Sequence, residues 1–481
     1  MGSRLGAVLG SWLAGFVFFG GLLYWLYLFG LSVWAIAALI LGAVLMVWGL
    51  LVRWIGRLAW LPRTVGIAVL WCGVEWARGL GQYGFTWGWL GYSQSPSLYL
   101  MAVARLVGAL GLSFAIVLVN AALAEAVVSL LRGRPPLVSV ARGTVGCGLA
   151  VLFVLGSGLW AARYPSPGGS TIRAAVIQGS AHGPLRAADV NVPPTEAEQK
   201  RSLDIYAALT TGVAQYYPAL VIWPESTLPA PPEDSPWVAA SLSDIVRTTG
   251  AWLLAGGAYV DARGRTCNSA YLYSPTGNLT ARYDKVQLVP FGEYVPGRSW
   301  LPFLHRYHVR EFDFVPGAVH RVLQAGTIAI APMICFESIF PRISWGLARH
   351  RAQVIVIITN DAWFGHTAAA AQHQQIAVLR AVETGRWVLR GASTGISAII
   401  SPTGRVVAQA PLYKRAVLSS EIQLTSGEQP GPRWGPRFAW LIFALTIALV
   451  IAPAAVRPAR RKSRAAPPRS RRPRRGRAAL R

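Results

Sequence analysis

Cys335 closes an apolar run, Thr327 to Ile334, and is followed at once by Phe336, Glu337 and Ser338. A free cysteine is commonly a small buried hydrophobe, but a thiol at the end of a buried strand, where the chain turns, is placed to act as a nucleophile. Two further apolar runs lead into ionisable side chains. Leu220-Val221-Ile222-Trp223-Pro224 ends in Glu225, and Tyr283-Asp284-Lys285 puts a lysine where a strand meets a loop. Glu225, Lys285 and Cys335 thus fall in that order, 60 and 50 residues apart, each at a strand end.

These residue types suit acyl transfer. Glu225 would take the thiol proton and return it to the leaving group. Lys285 would supply fixed positive charge where an oxyanion develops, alongside the backbone N–H of Phe336. The competing reading for each charged residue is a surface ion pair of little consequence. It leaves unexplained why Glu225 directly follows a run as apolar as Leu-Val-Ile-Trp-Pro.

The surrounding wording is specific. Trp223-Pro224-Glu225-Ser226, then Leu288 to Pro296 (LVPFGEYVP), then Ile334 to Ser338 (ICFES), then Thr359 to Gly365 (TNDAWFG) resemble the nitrilase superfamily and, within it, the apolipoprotein N-acyltransferases. The resemblance extends to the N-terminal region, through Glu75 to Gly79 (EWARG) and Gly84 to Gln94 (GFTWGWLGYSQ). It implies a polytopic α-helical membrane domain carrying an α/β, nitrilase-like α-β-β-α sandwich. It implies Glu225, Lys285 and Cys335 as the catalytic triad. Glu293 matches a second required glutamate that orients Lys285 or the thiol, and Glu337 matches a position of the same kind. Phe336 stands where some relatives have tyrosine, so a hydroxyl role there is missing from this chain.

The implied reaction has two halves. Cys335 takes an acyl chain from a phospholipid as a thioester, and the α-amino group of a lipoprotein's N-terminal diacylglyceryl-cysteine then accepts it, completing bacterial lipoprotein maturation. Two other readings share the residues: a membrane-tethered amidase acting on small amides, and an inactive scaffold that binds lipoproteins. Trp363 and Phe364 begin a loop after a buried strand, where an aromatic arm would either gate lipid entry or cap the core. Tyr294 lies in a long Pro-rich, aromatic segment, Val289 to Pro316, whose length argues for a lid.

Composition sets the class. Hydrophobic residues make up 53% and charged residues 14% of the 481, with 20 tryptophans, too apolar for an ordinary soluble protein. The largest single share of the net charge of +26 is a tail: 12 Lys or Arg and no acid lie from Arg457 onward, whereas residues 163–436 carry 24 basic and 18 acidic side chains. A tail next to a membrane span, without stacking aromatics, fits anionic lipid rather than nucleic acid. The four cysteines show no CxxC or His/Cys metal spacing, so neither a metal nor a cofactor is expected.

A bilayer core takes about 20 helical residues. Charge-free or nearly charge-free stretches place spans at 7–29, 32–52, 64–80, 98–123 and 143–162, forming a transmembrane domain over 1–162. The catalytic domain would occupy 163–436, a final span 437–456 and a disordered cytoplasmic tail 457–481. Basic loops at Arg53, Arg57 and Arg63 and at Arg132, Arg134 and Arg142 put the N-terminus inside and the catalytic domain on the outer face of the bacterial cytoplasmic membrane. Gly15 to Trp25 resembles the family's third span, so the resemblance implies either that a first pair of spans is missing, a loss that would preserve orientation, or that the start codon is misassigned. Glu75 and Arg78, three residues apart on one helical face, would form an ion pair or meet a headgroup. The aromatic loop after them would otherwise be an interfacial belt.

Strands are expected at 172–177, 220–223, 252–258, 269–273, 327–333 and 354–359, with helices at 194–215 and 369–384. Ser274-Pro275-Thr276-Gly277 and Ser401-Pro402-Thr403-Gly404 read as hairpin turns. After Gly179, where relatives often carry tryptophan, this chain has Ser-Ala-His-Gly-Pro-Leu-Arg.

Overall fold

The computed structural model describes residues 4–95, 97–164, 168–181, 195–297 and 313–455. The basic tail, much of the expected lid, and most of the stretch after Gly179 lie outside the described residues.

Among the described residues, twelve strands form two six-stranded sheets. In the first, β1 (Thr171–Gln178), β2 (Leu220–Ile222) and β3 (Trp252–Val260) run parallel, flanked by antiparallel β4 (Thr266–Tyr273) and β5 (Leu279–Asp284). In the second, β7 (Ile328–Ile334), β8 (Val354–Thr359) and β9 (Trp387–Ala392) are parallel. They are bordered by β6 (Leu323–Ala325) on one side and by β10 (Ala398–Ile400) and β11 (Val406–Gln409) on the other. The last strand, β12 (Ala416–Gln423), returns to pair antiparallel with β1. Both expected turns are present, Ser274 closing on Asn278 and Ser401 on Arg405.

Alternation along the central strands explains the layering. Leu220, Ile222 and Leu254 face Ile330, Val354 and Val356 between the sheets. Val221 and Leu253 face the opposite way, onto α7 (Glu196–Val213) and α8 (Pro236–Thr249). Ala331, Met333, Ile355 and Ile357 face α9 (Pro341–Arg349) and α10 (Ala369–Thr384). The result is an α-β-β-α sandwich. A parallel strand covered on both sides must be apolar on both, which is why the sequence shows unbroken runs here rather than alternation.

The N-terminal region is a helical membrane domain: α1 (Arg4–Leu22), α2 (Leu31–Trp54), α3 (Trp60–Arg78), α4 (Met101–Val107), α5 (Ala109–Leu131) and α6 (Pro136–Ala161), joined by α11 (Pro430–Ala455). Among the described residues, five helical stretches are long and apolar enough to cross a bilayer: Leu5–Leu22, Leu31–Arg57, Ala109–Leu131, Pro136–Ala161 and Pro430–Ile451. Helix α3, expected as the third span, is not among them. It carries Arg63, Glu75 and Arg78 and buries nine residues in the bundle. Arg63 and Arg142, expected in basic loops, instead both pair with Glu125, at 2.6 and 3.0 Å, tying α3, α5 and α6 together.

Two expected spans need correction. The first helix ends at Leu22 and tightens to a 3-10 segment over Tyr24–Phe29. The span expected over 98–123 is broken at Gly108, whose φ of 76° and ψ of −175° no continuous helix tolerates. Glu383, from α10, accepts a 2.7 Å hydrogen bond from the Ala109 N–H, so a catalytic-domain carboxylate caps a membrane helix. A Cβ on Gly108 would lie 2.7 Å from Trp345 Cζ2. Gly108→Ala is therefore expected to destabilise the protein by about 2 kcal/mol or more, read as a lower Tm in detergent. An unchanged Tm would mean that the break is not required.

One apolar core runs without interruption from Phe19, Trp25 and Trp76 in the membrane domain to Met333, Ile357 and Ile376 in the sandwich. The outer helical layer of the second sheet is thus an inner layer of the whole molecule.

Candidate active site

The parallel strands of both sheets end at one rim of the sandwich, where open α/β sheets generally place their ligands. Glu225 lies three residues past β2, Lys285 directly after β5, Cys335 directly after β7 and Asn360 directly after β8. The two sheets face each other, so side chains more than a hundred residues apart meet.

Lys285, 1% exposed, donates to Glu293 Oε1 at 2.9 Å and lies 3.6 Å from Glu225 Oε1. Glu225 is buried and held at both oxygens: Oε1 accepts from Asn268 Nδ2 at 2.7 Å and Oε2 from the Asn360 N–H at 2.7 Å. Asn268 also donates to Glu293 Oε1, at 2.9 Å, and Glu293 Oε2 accepts from the Val289 N–H at 2.8 Å. Burial by itself would lower the Lys285 ammonium, but Glu293 and Glu225 outweigh it and hold the pKa above the ordinary lysine value.

Cys335 is half-buried. Its thiol lies in the field of both charged partners. Burial pushes it up, Glu225 pushes it further, and Lys285 pulls it down without restoring the ordinary value. The residue has φ 51°, and Ser226 and Phe291, beside Glu225 and Glu293, have φ 57° and 64°. Non-glycine residues in this region are strained, and such strain gathers at sites whose surroundings hold it in place.

Glu337, fully buried, holds the nucleophile turn against the lysine loop. Its Oε2 accepts from the Ile334 N–H at 2.8 Å. Its Oε1 accepts from the Tyr283 hydroxyl and the Val286 N–H, each at 2.8 Å, and from the Gln287 N–H at 3.2 Å. The donors thus flank Cys335 on one side and Lys285 on the other. Burial raises the Glu337 carboxyl despite them.

Phe336 stacks on Phe85, centroids 6.3 Å apart, bringing the aromatic loop of the membrane domain onto the residue after the nucleophile. This loop is not a lipid-facing belt. Trp87, Trp89 and Tyr92 are buried, and Thr86 and Tyr92 both donate to the Ile339 carbonyl, at 2.6 and 3.0 Å. The anticipated Glu75–Arg78 pairing gives way to the loop as well: Glu75 Oε1 accepts from the Leu90 N–H at 2.8 Å, and Arg78 donates to the Trp87 carbonyl at 2.7 Å.

Of the three expected gating residues, Phe364 packs edge-on to Trp25 at 4.9 Å and to Trp87 at 5.9 Å. Trp363 stacks on Phe29 at 6.3 Å. Both rings meet the membrane domain rather than merely capping their own. Tyr294 is half-buried beside Glu293, its hydroxyl without a hydrogen-bond partner among the described residues.

Several residues here escape sequence reasoning. Asn268 sits at the start of β4, one position before the expected strand, and a single amide before an apolar run carries little signal. Asp361, His373 and Arg390 form a buried cluster behind Cys335: Arg390 Nη2 donates to Asp361 Oδ2 at 2.5 Å, and His373 Nδ1 lies 3.2 Å from Asp361 Oδ1. Arg390, an arginine inside the apolar run Trp-Val-Leu-Arg-Gly-Ala, was the available clue, since arginine is seldom fully buried unless paired. Among the described residues no group of His, Cys, Asp and Glu could hold a metal ion.

Comparison with known proteins finds matches over both the N-terminal helical region and the sandwich. The carbon-nitrogen hydrolase family model matches residues 173–429, and that of the apolipoprotein N-acyltransferase N-terminal domain matches residues 2–122. The apolipoprotein N-acyltransferase of Geobacter metallireducens is 33% identical over 461 residues, which cover 92% of this chain and 85% of that protein. That of Azotobacter vinelandii is 34% identical over 422 residues, covering 86% and 77%. Among solved structures, an amidase from Nesterenkonia sp. AN1 in complex with butyramide aligns at 19% identity with a TM-score of 0.41, over 57% of this chain and 96% of that one.

Proposed function

We propose, from the premise that this chain belongs to the apolipoprotein N-acyltransferase family, that Cys335 carries an acyl chain from a membrane phospholipid to a diacylated lipoprotein. In the first half-reaction Glu225 takes the thiol proton as Sγ attacks the ester carbonyl. The oxyanion develops toward Lys285 and the Phe336 N–H. Collapse forms the thioester and expels the lysophospholipid alkoxide, which recovers the proton from Glu225. In the second half the neutral α-amine of the N-terminal diacylglyceryl-cysteine attacks the thioester. Glu225 takes the amine proton, the amide forms, and the departing Cys335 sulfur is reprotonated.

The arrangement of supporting groups follows from this chemistry. Glu293 and Asn268 keep the Lys285 ammonium and the Glu225 carboxylate in register, and Glu337 fixes the distance between the lysine loop and the nucleophile turn. Trp363, Phe364 and Tyr294 line the approach for acyl chains.

The catalytic domain, 163–436, stands on the outer face of the cytoplasmic membrane, with helices on either side of it in sequence, within 1–162 and 437–456, as the anchor. Arg53, Arg57, Arg132 and Arg134, at or just beyond the ends of α2 and α5, support that orientation by the positive-inside rule. The tail after Arg457 meets anionic lipid on the inner face.

The observation that carries the reading is the packing of the membrane-domain loop on the nucleophile turn through Phe85 and Phe336. It sets the thiol beside membrane helices, where both proposed substrates reside. The test supplies purified protein with phospholipid vesicles and a synthetic diacylated lipopeptide, and follows the products by mass spectrometry. Triacylated lipopeptide with an equal amount of lysophospholipid is expected. Free fatty acid alone, or ammonia from simple amides, would overturn the transferase reading in favour of a hydrolase.

A further inference from the structure

Behind Cys335 a chain of buried polar side chains leads to the peptide that follows the nucleophile. Ser338 Oγ donates to the Cys335 carbonyl at 2.7 Å, which uses its one hydrogen. The contact between Ser338 Oγ and His373 Nε2, at 2.8 Å, must then have the imidazole N–H as donor. The imidazole Nδ1 lies 3.2 Å from Asp361 Oδ1 and 3.3 Å from Arg390 Nη2, so the carboxylate and the guanidinium of one buried ion pair hold the ring from behind. Arg390 is itself held by Asp361 Oδ2 and by the Ile396 carbonyl at 3.1 Å, and Thr359 donates to Asp361 Oδ1 at 2.9 Å. Arg390, Asp361, His373 and Ser338 thus form one buried run that ends on the carbonyl of Cys335.

That carbonyl shares a planar trans peptide with the Phe336 N–H. The oxygen and the hydrogen point to opposite sides of the plane, so anchoring one aims the other. The peptide follows a residue at φ 51°, a conformation a cysteine would leave without such an anchor. The imidazole is immobilised in turn: Trp87 lies 5.4 Å and Phe364 6.2 Å from its ring, and the adjacent Gln372 accepts from the indole N–H groups of Trp25, at 3.3 Å, and Trp87, at 2.8 Å.

We propose that His373, acting through Ser338, is a positioning residue that aims the Phe336 N–H at the developing oxyanion, and that the docking of Trp87 holds the imidazole in place. It does not touch substrate. The inference rests on the acyl-transfer reading above, and it adds a requirement: membrane-domain packing contributes to the geometry of the oxyanion site.

The test separates two reactions of the same thiol in the full-length protein. Acylation by a soluble p-nitrophenyl ester passes through an oxyanion, whereas alkylation by iodoacetamide does not. Losing an oxyanion donor outright costs about 10²–10³-fold, so misaiming one in Ser338→Ala or His373→Leu is expected to slow acylation by about 10–100-fold. Alkylation should stay unchanged, and His373→Gln, which keeps an N–H near the Nε2 position, should recover much of the rate. Ser338→Ala removes a single oxygen and serves if His373→Leu fails to fold. Acylation of Ser338→Ala at the wild-type rate would overturn the proposal, as would a parallel loss of alkylation, which would mean that the thiol itself had moved. If wild-type Cys335 takes no acyl group at all, the transferase reading falls and this inference with it.

Discussion

Replacing Lys285 with methionine is expected to abolish acyl transfer and to destabilise the sandwich in the same step. The ammonium sits 2.9 Å from Glu293 and 3.6 Å from Glu225, and all three are buried. Removing one member of a buried ionic group leaves the others uncompensated, at a cost of about 3–5 kcal/mol. Here two carboxylates bridged by Asn268 would be left facing each other. Adding Glu293→Gln to Lys285→Met removes one of those charges, so the double variant should regain much of the stability and none of the activity. Chemical unfolding and the lipopeptide assay read the two effects separately. A single variant as stable as wild type, or one retaining most of its turnover, would contradict this account.

The pH dependence of that stability has a definite sign. The folded-state pKa of Lys285 is raised, so its contribution is fully present below the unfolded value of about 10.4. It is lost only as pH climbs through the folded value. Between about pH 6 and 9, titration of this lysine should therefore change stability little.

Cys335→Ala should lower lipopeptide acylation by about 10⁴-fold or more, as loss of a nucleophile does elsewhere, with the fold intact. Alanine has the same Cβ and meets the same constraint at φ 51°, so no new strain arises. The retained Tm and the missing thioester adduct distinguish lost chemistry from lost structure. Because burial and Glu225 hold the thiol above the ordinary range, Cys335 enters the reaction protonated and gives up its proton as it attacks. Alkylation of the wild-type thiol should accordingly keep accelerating above about pH 9. A plateau below neutrality would instead mean a pre-formed thiolate, as in cysteine–imidazolium pairs, and Glu225 would lose its role as base.

Much of this site was legible in one dimension because its parts sit at strand ends. Strands covered on both faces read as unbroken apolar runs, and a charged or nucleophilic residue at the end of such a run stands out. Glu225, Lys285, Cys335 and Glu337 were visible for that reason. Asn268 was not, because a single amide at the edge of a strand looks like a boundary residue. His373 lies in a helix whose pattern is otherwise ordinary, and its partners are 12, 17 and 35 residues away.

The break at Gly108 was hidden for a different reason. Hydropathy averages over a span and records no dihedral angle, and the residue that caps the new helix start is Glu383, 274 positions further on. The seat of the aromatic loop was hidden by the same limit. Tryptophan-rich, charge-free sequence is equally suited to a lipid boundary and to a protein interior, and only the arrival of Ile339, Phe336 and Gln372 on its surface selects the latter.

The sequence by itself determined the local facts: which segments are apolar enough to be buried, where they stop, which reactive side chains stand at those stops, and the family whose motifs they spell. Only the tertiary structure decided which ends face one another, and with that the bridging of Glu225 to Glu293 by Asn268, the clasp of Glu337 across two loops, and the seating of membrane-domain rings on the nucleophile turn. The reason is that strand and helix periodicities are set by neighbours a few residues apart, whereas a contact between facing sheets depends on the packing of every layer between them.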